Sequence, residues 1–274
     1  RGHVCPKAVA LKDIHEDPDR LRKPVKRIRT AAGAYQHVEI DWPEALDLAA
    51  GALAATIEHH GVDAVGAYFG NPSVHNYGML THQRNLFRHI RTRNRFSATS
   101  VDQLPHHLVS LWCFGHMLLH PIPDVDRTHY FLMLGANPLA SNGSIWTVPD
   151  VRRRLKDLKA RGGKLVVVDP RRTETAELAT EHVFIRPGTD AAFLLAMIHV
   201  LFRDDLVSPG PLAAFTDGLE EIGVAVVELT PEWAEPLTGI PAASIERIAH
   251  DLANAEAGIC YGRMGVSTQA FGAL

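Results

Sequence analysis

Cysteine is scarce: the 274 residues hold three, at positions 5, 113 and 260, with no CxxC spacing. An odd, scattered set excludes a disulfide framework and fits a reducing compartment. Long apolar runs are missing as well. FLLAMIHVLF, residues 193–202, is the longest of note, and it contains a histidine and is too short to span a bilayer. A formal net charge of −3 leaves no electrostatic footprint for nucleic acid or an anionic membrane, so neither is expected as a partner. There is no GxGxxG after the first strand, no GxxxxGK[ST] and no HExxH, which removes ordinary NAD binding, a phosphate-binding loop and the common zinc-hydrolase motif. No repeat, low-complexity tract or signal-peptide pattern is visible. The chain starts at Arg1 rather than a methionine, so the expectation is a piece of something longer. Its expected compartment is the cytoplasm, with the periplasm left open by the absent N-terminus.

What is present is ordinary for a soluble globular protein: 46% hydrophobic and 22% charged residues over a length that allows one large or two modest domains. Sixteen histidines are many. His116 and His120 sit four apart with His106, His107 and Cys113 nearby, but Pro105 and Pro121 argue against a long helix there. A solvated or core-lining role is the preferred reading of these histidines, and a zinc site the alternative.

Residues 18–30, PDRLRKPVKRIRT, read as a basic extended segment lying on other structure. A short strand over 37–40 leads to Asp41, which suits an N-cap, with Pro43 in the first turn and Glu44 three residues after the cap. The apolar spacing then predicts a helix to about His60, stopped by Gly61. A strand over 62–69, a loop and a helix over 77–91 follow. A second series is clearer: strand 130–134 ending in Gly-Ala-Asn-Pro, helix 148–163, strand 164–168 ending in Asp-Pro-Arg, strand 181–185 leading to Pro-Gly-Thr-Asp, and an amphipathic helix from Asp190. Helical segments over 218–228, 231–237 and 241–255 precede one more strand, 257–262. Continuous apolar strands alternating with helices predict an α/β protein of parallel, doubly wound, Rossmann-like αβα layers. The expected domains are 1–40, 41–100 and 101–274.

In such sheets ligands bind beyond the carboxyl ends of the strands. Four ends here carry polar or glycine-rich turns: Gly135 to Pro138, Asp169 to Arg171, Gly188 to Asp190, and Gly262 to Gln269. Each has a plain structural explanation; glycine and proline punctuate turns, Thr189 suits a cap of the following helix, and Asp190 favours its positive end. Four on one edge suggest more. A strand-end carboxylate can accept from the ring N–H and amino group of a guanine, and glycine-exposed backbone N–H groups suit a pyrophosphate. The combination suggests a nucleotide-bearing cofactor.

At these residues the chain resembles the molybdopterin oxidoreductases of the dimethyl-sulfoxide-reductase superfamily, which includes formate dehydrogenases and nitrate reductases. The resemblance runs in order through CPKA, RLRKPVKRIRTAAGAYQHVEIDWPEAL, YFLMLGANP, VVVDPRRTETAELATEHVFIRPGTDAAF and YGRMGVSTQAFG, and its most specific part is the DPR…PGTD pair. It implies molybdenum or tungsten held by two molybdopterin guanine dinucleotides. Asp169 and Asp190 would hold guanosine portions; Gly135, Asn137, Arg171, Gly188 and Thr189 would line the dinucleotide path; Met264, Gly265, Thr268 and Gln269 would approach the pterin end. Gly70, Asn71 and Asn76 would approach it from the other lobe.

The family's protein ligand to the metal is a Cys, selenocysteine, Ser or Asp, and the matching window here is RFSATSVDQLPHHLVSLWCFG. Asp102 stands nearest the expected position, Ser100 is next, and Cys113 lies in apolar sequence that suggests a structural role. The formate-dehydrogenase pattern, Cys or selenocysteine followed by His, is absent, which argues against formate. Cys5 and Lys7 resemble the last ligand of a [4Fe–4S] cluster and the lysine that bridges cluster and pterin. Such a cluster needs four thiolates, so it is expected in a full-length parent and not in this fragment, which would hold only a remnant of the iron–sulfur module. The resemblance implies a two-electron redox catalytic subunit with a small-molecule substrate and an electron-transfer partner, this fragment alone being inactive. A cofactor-free structural or electron-wiring subunit of a respiratory-type complex is the alternative.

Overall fold

Five consecutive fully buried residues, Tyr130–Leu134, form strand β5, the centre of the larger of two units into which the chain divides. In the computed structural model, which describes Val4 and residues 6–274, these units are Val4–Thr99 and Ser100–Leu274. Cys5 lies outside the described residues.

In the first unit, β1 (Val25–Arg29) and β2 (Tyr35–Glu39) pair antiparallel, with Val25 opposite Glu39 and Arg29 opposite Tyr35. The basic stretch expected to lie extended on other structure is therefore one arm of a hairpin. Gly33 at φ +81° turns the chain between the arms, and the Arg27 guanidinium sits 4.6 Å from the Tyr35 ring centre. The helix Trp42–His60 begins as its sequence predicts: Asp41 accepts from the Glu44 N–H at 2.9 Å, and Gly61 ends it. The strand expected over 62–69 is shorter, a 3₁₀ turn (Val62–Ala64) followed by β3 (Ala67–Phe69). β3 pairs in parallel with β4 (Arg95–Ser97), joined through the helix Tyr77–Ile90.

In the second unit, β5, β6 (Lys164–Val168), β7 (Glu181–Val183) and β8 (Gly258–Gly262) form one all-parallel sheet in the order β7-β6-β5-β8. Alternate side chains of the two central strands face opposite layers. Leu132, Leu134, Val166 and Val168 pack with Phe193, Met197, Ile245 and Ile248 from the helices Asp190–Arg203 and Ala242–Ala253. Phe131, Met133, Leu165 and Val167 pack with Trp146, Leu155 and Leu158 on the other side. Both faces are covered, which is why these strands read as continuous apolar runs. Between β6 and β7 the sequence reading placed no helix; the short helix Glu174–Leu178 stands there, capped by Thr173, whose hydroxyl accepts from the Ala176 N–H at 3.1 Å. The helix expected over 148–163 is trimmed to Val151–Ala160. Because all four strands run the same way, their carboxyl ends share one edge, and the strand order reverses between β5 and β8.

Candidate functional site

At that reversal two chains cross in contact. A Cβ added to Gly135, after β5, would lie 2.6 Å from the Gly265 Cα, and one added to Gly265 would lie 2.6 Å from the Gly135 Cα. The Gly265 N–H donates to the Gly135 carbonyl at 3.0 Å, and the Gly135 N–H to the Val168 carbonyl at 3.1 Å. Only glycine fits either position, and both amides serve the chain's own packing.

The remaining strand ends are stitched in pairs. Asn137, after β5, donates from Nδ2 to Glu174 Oε2 at 2.7 Å and accepts at Oδ1 from the Thr175 hydroxyl at 2.7 Å. Asp169, after β6, is nearly buried at 9% exposure and accepts at Oδ1 from the Arg171 N–H at 2.8 Å, closing a tight turn. Past β7, residues 184–189 carry the chain to the helix Asp190–Arg203. Thr189 stands at the N-cap position of that helix, but its side chain makes no capping bond: its hydroxyl donates to the Arg186 carbonyl at 2.7 Å, and Asp190 stands at the first helical position. Asp190 is 5% exposed and accepts at Oδ2 from the Gln269 amide at 2.7 Å. Gln269 Oε1 in turn lies 3.7 Å from where a Gly188 Cβ would be, and Gly188 holds φ +85°. Burial pushes the Asp190 carboxyl above the ordinary range; the Gln269 hydrogen bond opposes this, and the Asp169 charge adds to it. The Asp169 charge therefore reaches Asp190. Thr268 donates to the Met264 carbonyl at 2.5 Å within the short helix Met264–Ser267.

The window expected to carry a metal ligand docks on the end of β8. His106 donates from Nε2 to the Gly262 carbonyl at 3.1 Å, a bond that fixes the proton on that nitrogen. Its Nδ1 is buried without a hydrogen-bond partner, and burial holds the ring below its usual pKa. The Arg263 guanidinium donates to Asp102 Oδ1 at 3.4 Å, and its side chain is 6% exposed against 36% for Asp102. Ser100 opens this unit in a 3₁₀ turn (Ala98–Val101). The helix that follows, Leu104–Phe114, leaves Cys113 exposed rather than in the apolar setting its sequence neighbours suggest. The helix ends at Gly115, so His116 and His120 do not share its face; Ser110 and His120 meet instead, Oγ to Nδ1, at 2.8 Å. Among the described residues no group of three or more His, Cys, Asp or Glu side chains is placed to hold a metal ion, which leaves the zinc alternative without support.

In the first unit, Gly70 follows β3, Asn71 begins a 3₁₀ turn (Asn71–Val74), and Asn76 caps the helix Tyr77–Ile90 by accepting from the Met79 N–H at 3.0 Å. Lys7 is exposed on the short helix Pro6–Val9. Sequence reasoning did not single out Arg263 or the Glu174–Thr175 pair, and it read His106 only as a neighbour of the possible zinc ligands. A lone arginine directly after an apolar strand was the available signal for the first.

The sheet order and its crossovers define the class, a doubly wound, Rossmann-like α/β protein. The chain belongs to the molybdopterin oxidoreductase family, whose model it matches over residues 20–223. It is 31% identical over 275 aligned positions to formate dehydrogenase H of Escherichia coli (strain K12), covering 97% of this chain and 37% of that protein. It is 28% identical to the dimethyl sulfoxide/trimethylamine N-oxide reductase of Rhodobacter capsulatus, covering 90% of this chain and 33% of that one. Acetylene hydratase from Pelobacter acetylenicus shares the fold along the whole chain, with a TM-score of 0.76 at 24% identity over 37% of its own length. The chain spans about a third of the length of the curated relatives it matches. No helix among the described residues is long and apolar enough to cross a membrane.

Proposed function

We propose that this chain is the dinucleotide-holding part of a molybdopterin oxidoreductase catalytic subunit, serving a molybdenum or tungsten centre held by two molybdopterin guanine dinucleotides. The observation that carries the reading is the gathering of Asp190, Gln269 and Gly188 at the carboxyl edge, within electrostatic reach of Asp169. These residues fit the group by their chemistry. A buried carboxylate that already accepts from a side-chain amide has the acceptor that a guanine amino and ring N–H require. The crossing of Gly135 and Gly265 keeps the crevice between β5 and β8 free of side chains from either. When bound, the metal centre supplies two-electron redox chemistry, oxygen-atom or hydride transfer. The chain's own share is to orient and tune: Asp169 and Asp190 fix the guanine ends, and Asn137, Arg171 and Thr189 line the path between. Met264 and Thr268 approach the pterin end. Asp102, or Ser100 in its place, offers the metal an oxygen ligand, which suits a high-valent oxo metal. Cys5 and Lys7 belong to the electron path, through a [4Fe–4S] cluster of the whole protein toward a partner subunit. The substrate is a small molecule.

A cofactor-free scaffold is the second reading, favoured by one observation: Asn137, Asp190 and Asp102 all hold partners within the chain. One experiment separates the two. The chain, within its longer parent if it has one, is produced in a host competent for the cofactor. Acid-oxidised extracts are then assayed for fluorescent pterin and guanine nucleotide, and the metal by elemental analysis. Stoichiometric pterin, nucleotide and Mo or W, lost in D169N/D190N, is the expected result. Their absence from wild type establishes the scaffold. D102A is expected to change the metal's absorption spectrum; an unchanged spectrum takes Asp102 off the metal.

A further inference from the structure

The residue after β7 does not share the burial of the one that follows it. Ile185 is 4% exposed and belongs to the core with Phe193, whereas Phe184 leaves 60% of its surface open. A single exposed aromatic is ordinary on a protein surface, but this ring is not loose. It packs on the imidazole of His182, two residues earlier, with ring centres 4.3 Å apart and planes tilted by 58°. His182 is itself fixed, because its Nε2 donates to the Asp169 carbonyl at 3.0 Å. The backbone repeats the link one residue on, where the Asp169 N–H donates to the Val183 carbonyl at 3.1 Å. Phe184 therefore stands directly beyond a bond that joins the end of β7 to the end of β6, braced by His182 and otherwise open at the carboxyl edge.

A braced aromatic ring recognises the flat face of a base, as a carboxylate recognises its donating edge. The two demands are separate. Stacking accepts every base and gains most from the larger face of a purine, while hydrogen bonds at the edge tell guanine from adenine. The carboxylates of Asp169 and Asp190 can meet a base only by its edge. We propose that Phe184 is the stacking residue of the nucleotide site and holds the face of the guanine base while a carboxylate takes its edge. The inference rests on the cofactor reading above and adds to it what sets purine against pyrimidine. Because His182 holds the ring in place before the base arrives, little side-chain freedom is lost on binding.

Guanosine, adenosine and uridine monophosphates are titrated into the 274-residue chain without cofactor, and the base protons are followed by NMR. Wild type is expected to bind the guanine nucleotide most tightly and the uracil nucleotide least, with the guanine H8 signal moved upfield by the Phe184 ring current. F184L keeps an apolar side chain against His182 but removes the aromatic face. It is expected to weaken both purine nucleotides by roughly tenfold, to abolish the upfield shift and to leave the urea midpoint at the wild-type value. F184Y is expected to restore both affinity and shift. D190N is expected to weaken the guanine nucleotide alone, which separates the edge of the base from its face. Purine affinity and H8 shift unchanged in F184L, with D190N weakened, overturn the stacking and leave the guanine reading intact. F184Y binding no better than F184L overturns it as well. A loss in F184L with D190N at wild-type affinity upholds the stacking and takes Asp190 off the base edge. No saturable binding by wild type overturns both.

Discussion

Gly135 offers a sharp test of how the carboxyl edge is built. It holds φ +54°, and an added Cβ would stand 2.6 Å from the Gly265 Cα and 2.7 Å from both the Gly265 carbonyl carbon and the Val266 nitrogen. These are backbone atoms, which cannot swing aside as a side-chain tip can. Gly135→Ala therefore carries two costs. A left-handed alanine costs about 1–2 kcal/mol, and forcing a methyl into a filled space costs about 1–3 kcal/mol. Gly210 supplies the control, because it has the same φ of +54° and nothing within 4 Å of its would-be Cβ, so Gly210→Ala carries the first cost alone. Gly265→Ala is the complement: its Cβ would meet the Gly135 Cα at 2.6 Å, and no left-handed φ is involved. Urea unfolding followed by far-UV circular dichroism reads all three. With a slope near 2 kcal/mol/M, G210A is expected to lower the midpoint by about 0.5–1 M. G135A is expected to lower it by about 1–2.5 M, with G265A between the two. Equal midpoints for G135A and G210A would refute the close crossing as the reason for glycine.

Asp190→Asn is expected to stabilise the cofactor-free chain at pH 7. A carboxyl held above its unfolded value of 3.8 destabilises the fold when ionised, and the penalty vanishes as pH falls below that value, so the two proteins should converge in acid; a less stable D190N at pH 7 contradicts this. Gln269→Leu leaves Asp190 without its side-chain donor and should cost about 1–3 kcal/mol, while guanosine monophosphate should raise its melting temperature more than it raises that of wild type. An equal rise in both would exclude Asp190 as a guanine acceptor. Thr175→Val removes the donor to Asn137 and the acceptor that the Leu139 N–H reaches at 3.2 Å; at 0% exposure this should cost about 1–3 kcal/mol in urea unfolding, and a change under about 0.5 kcal/mol would place Asn137 outside the structural network.

The parallel layer was legible because burial on both faces leaves a mark that local sequence carries. Tyr130–Leu134 and Lys164–Val168 are runs with almost no polar interruption, and Asp41 with Glu44 announces its helix within four residues. What stayed hidden is either short or distant. The helix Glu174–Leu178 has one and a half turns and too little apolar period to stand out, although the Thr173 cap before it was a usable sign. Cys113 was misjudged because Leu111, Trp112 and Phe114 beside it suggest a buried helix, yet all three are more than 45% exposed. The pairing of Arg263 with Asp102 joins residues 161 positions apart, and no spacing rule reaches that far.

The polar residues at the carboxyl edge could be picked from the sequence, but their mutual bonds could not, and those bonds bear on affinity. Asn137 ties the end of β5 to the helix after β6, and Gln269 ties the segment after β8 to the helix after β7. Each strand end is thereby fixed by a neighbour before any ligand arrives, which lowers the ordering cost of binding. The same bonds must be exchanged for a ligand's own, so the net gain depends on how closely the ligand reproduces the donor it displaces. At Asp190 the displaced donor is a planar amide N–H, and a guanine edge presents two N–H groups in one plane. A base offering only acceptors there would strand a buried carboxylate at a cost of several kcal/mol. On the proposed reading, selectivity for guanine at this position would follow from the burial of Asp190.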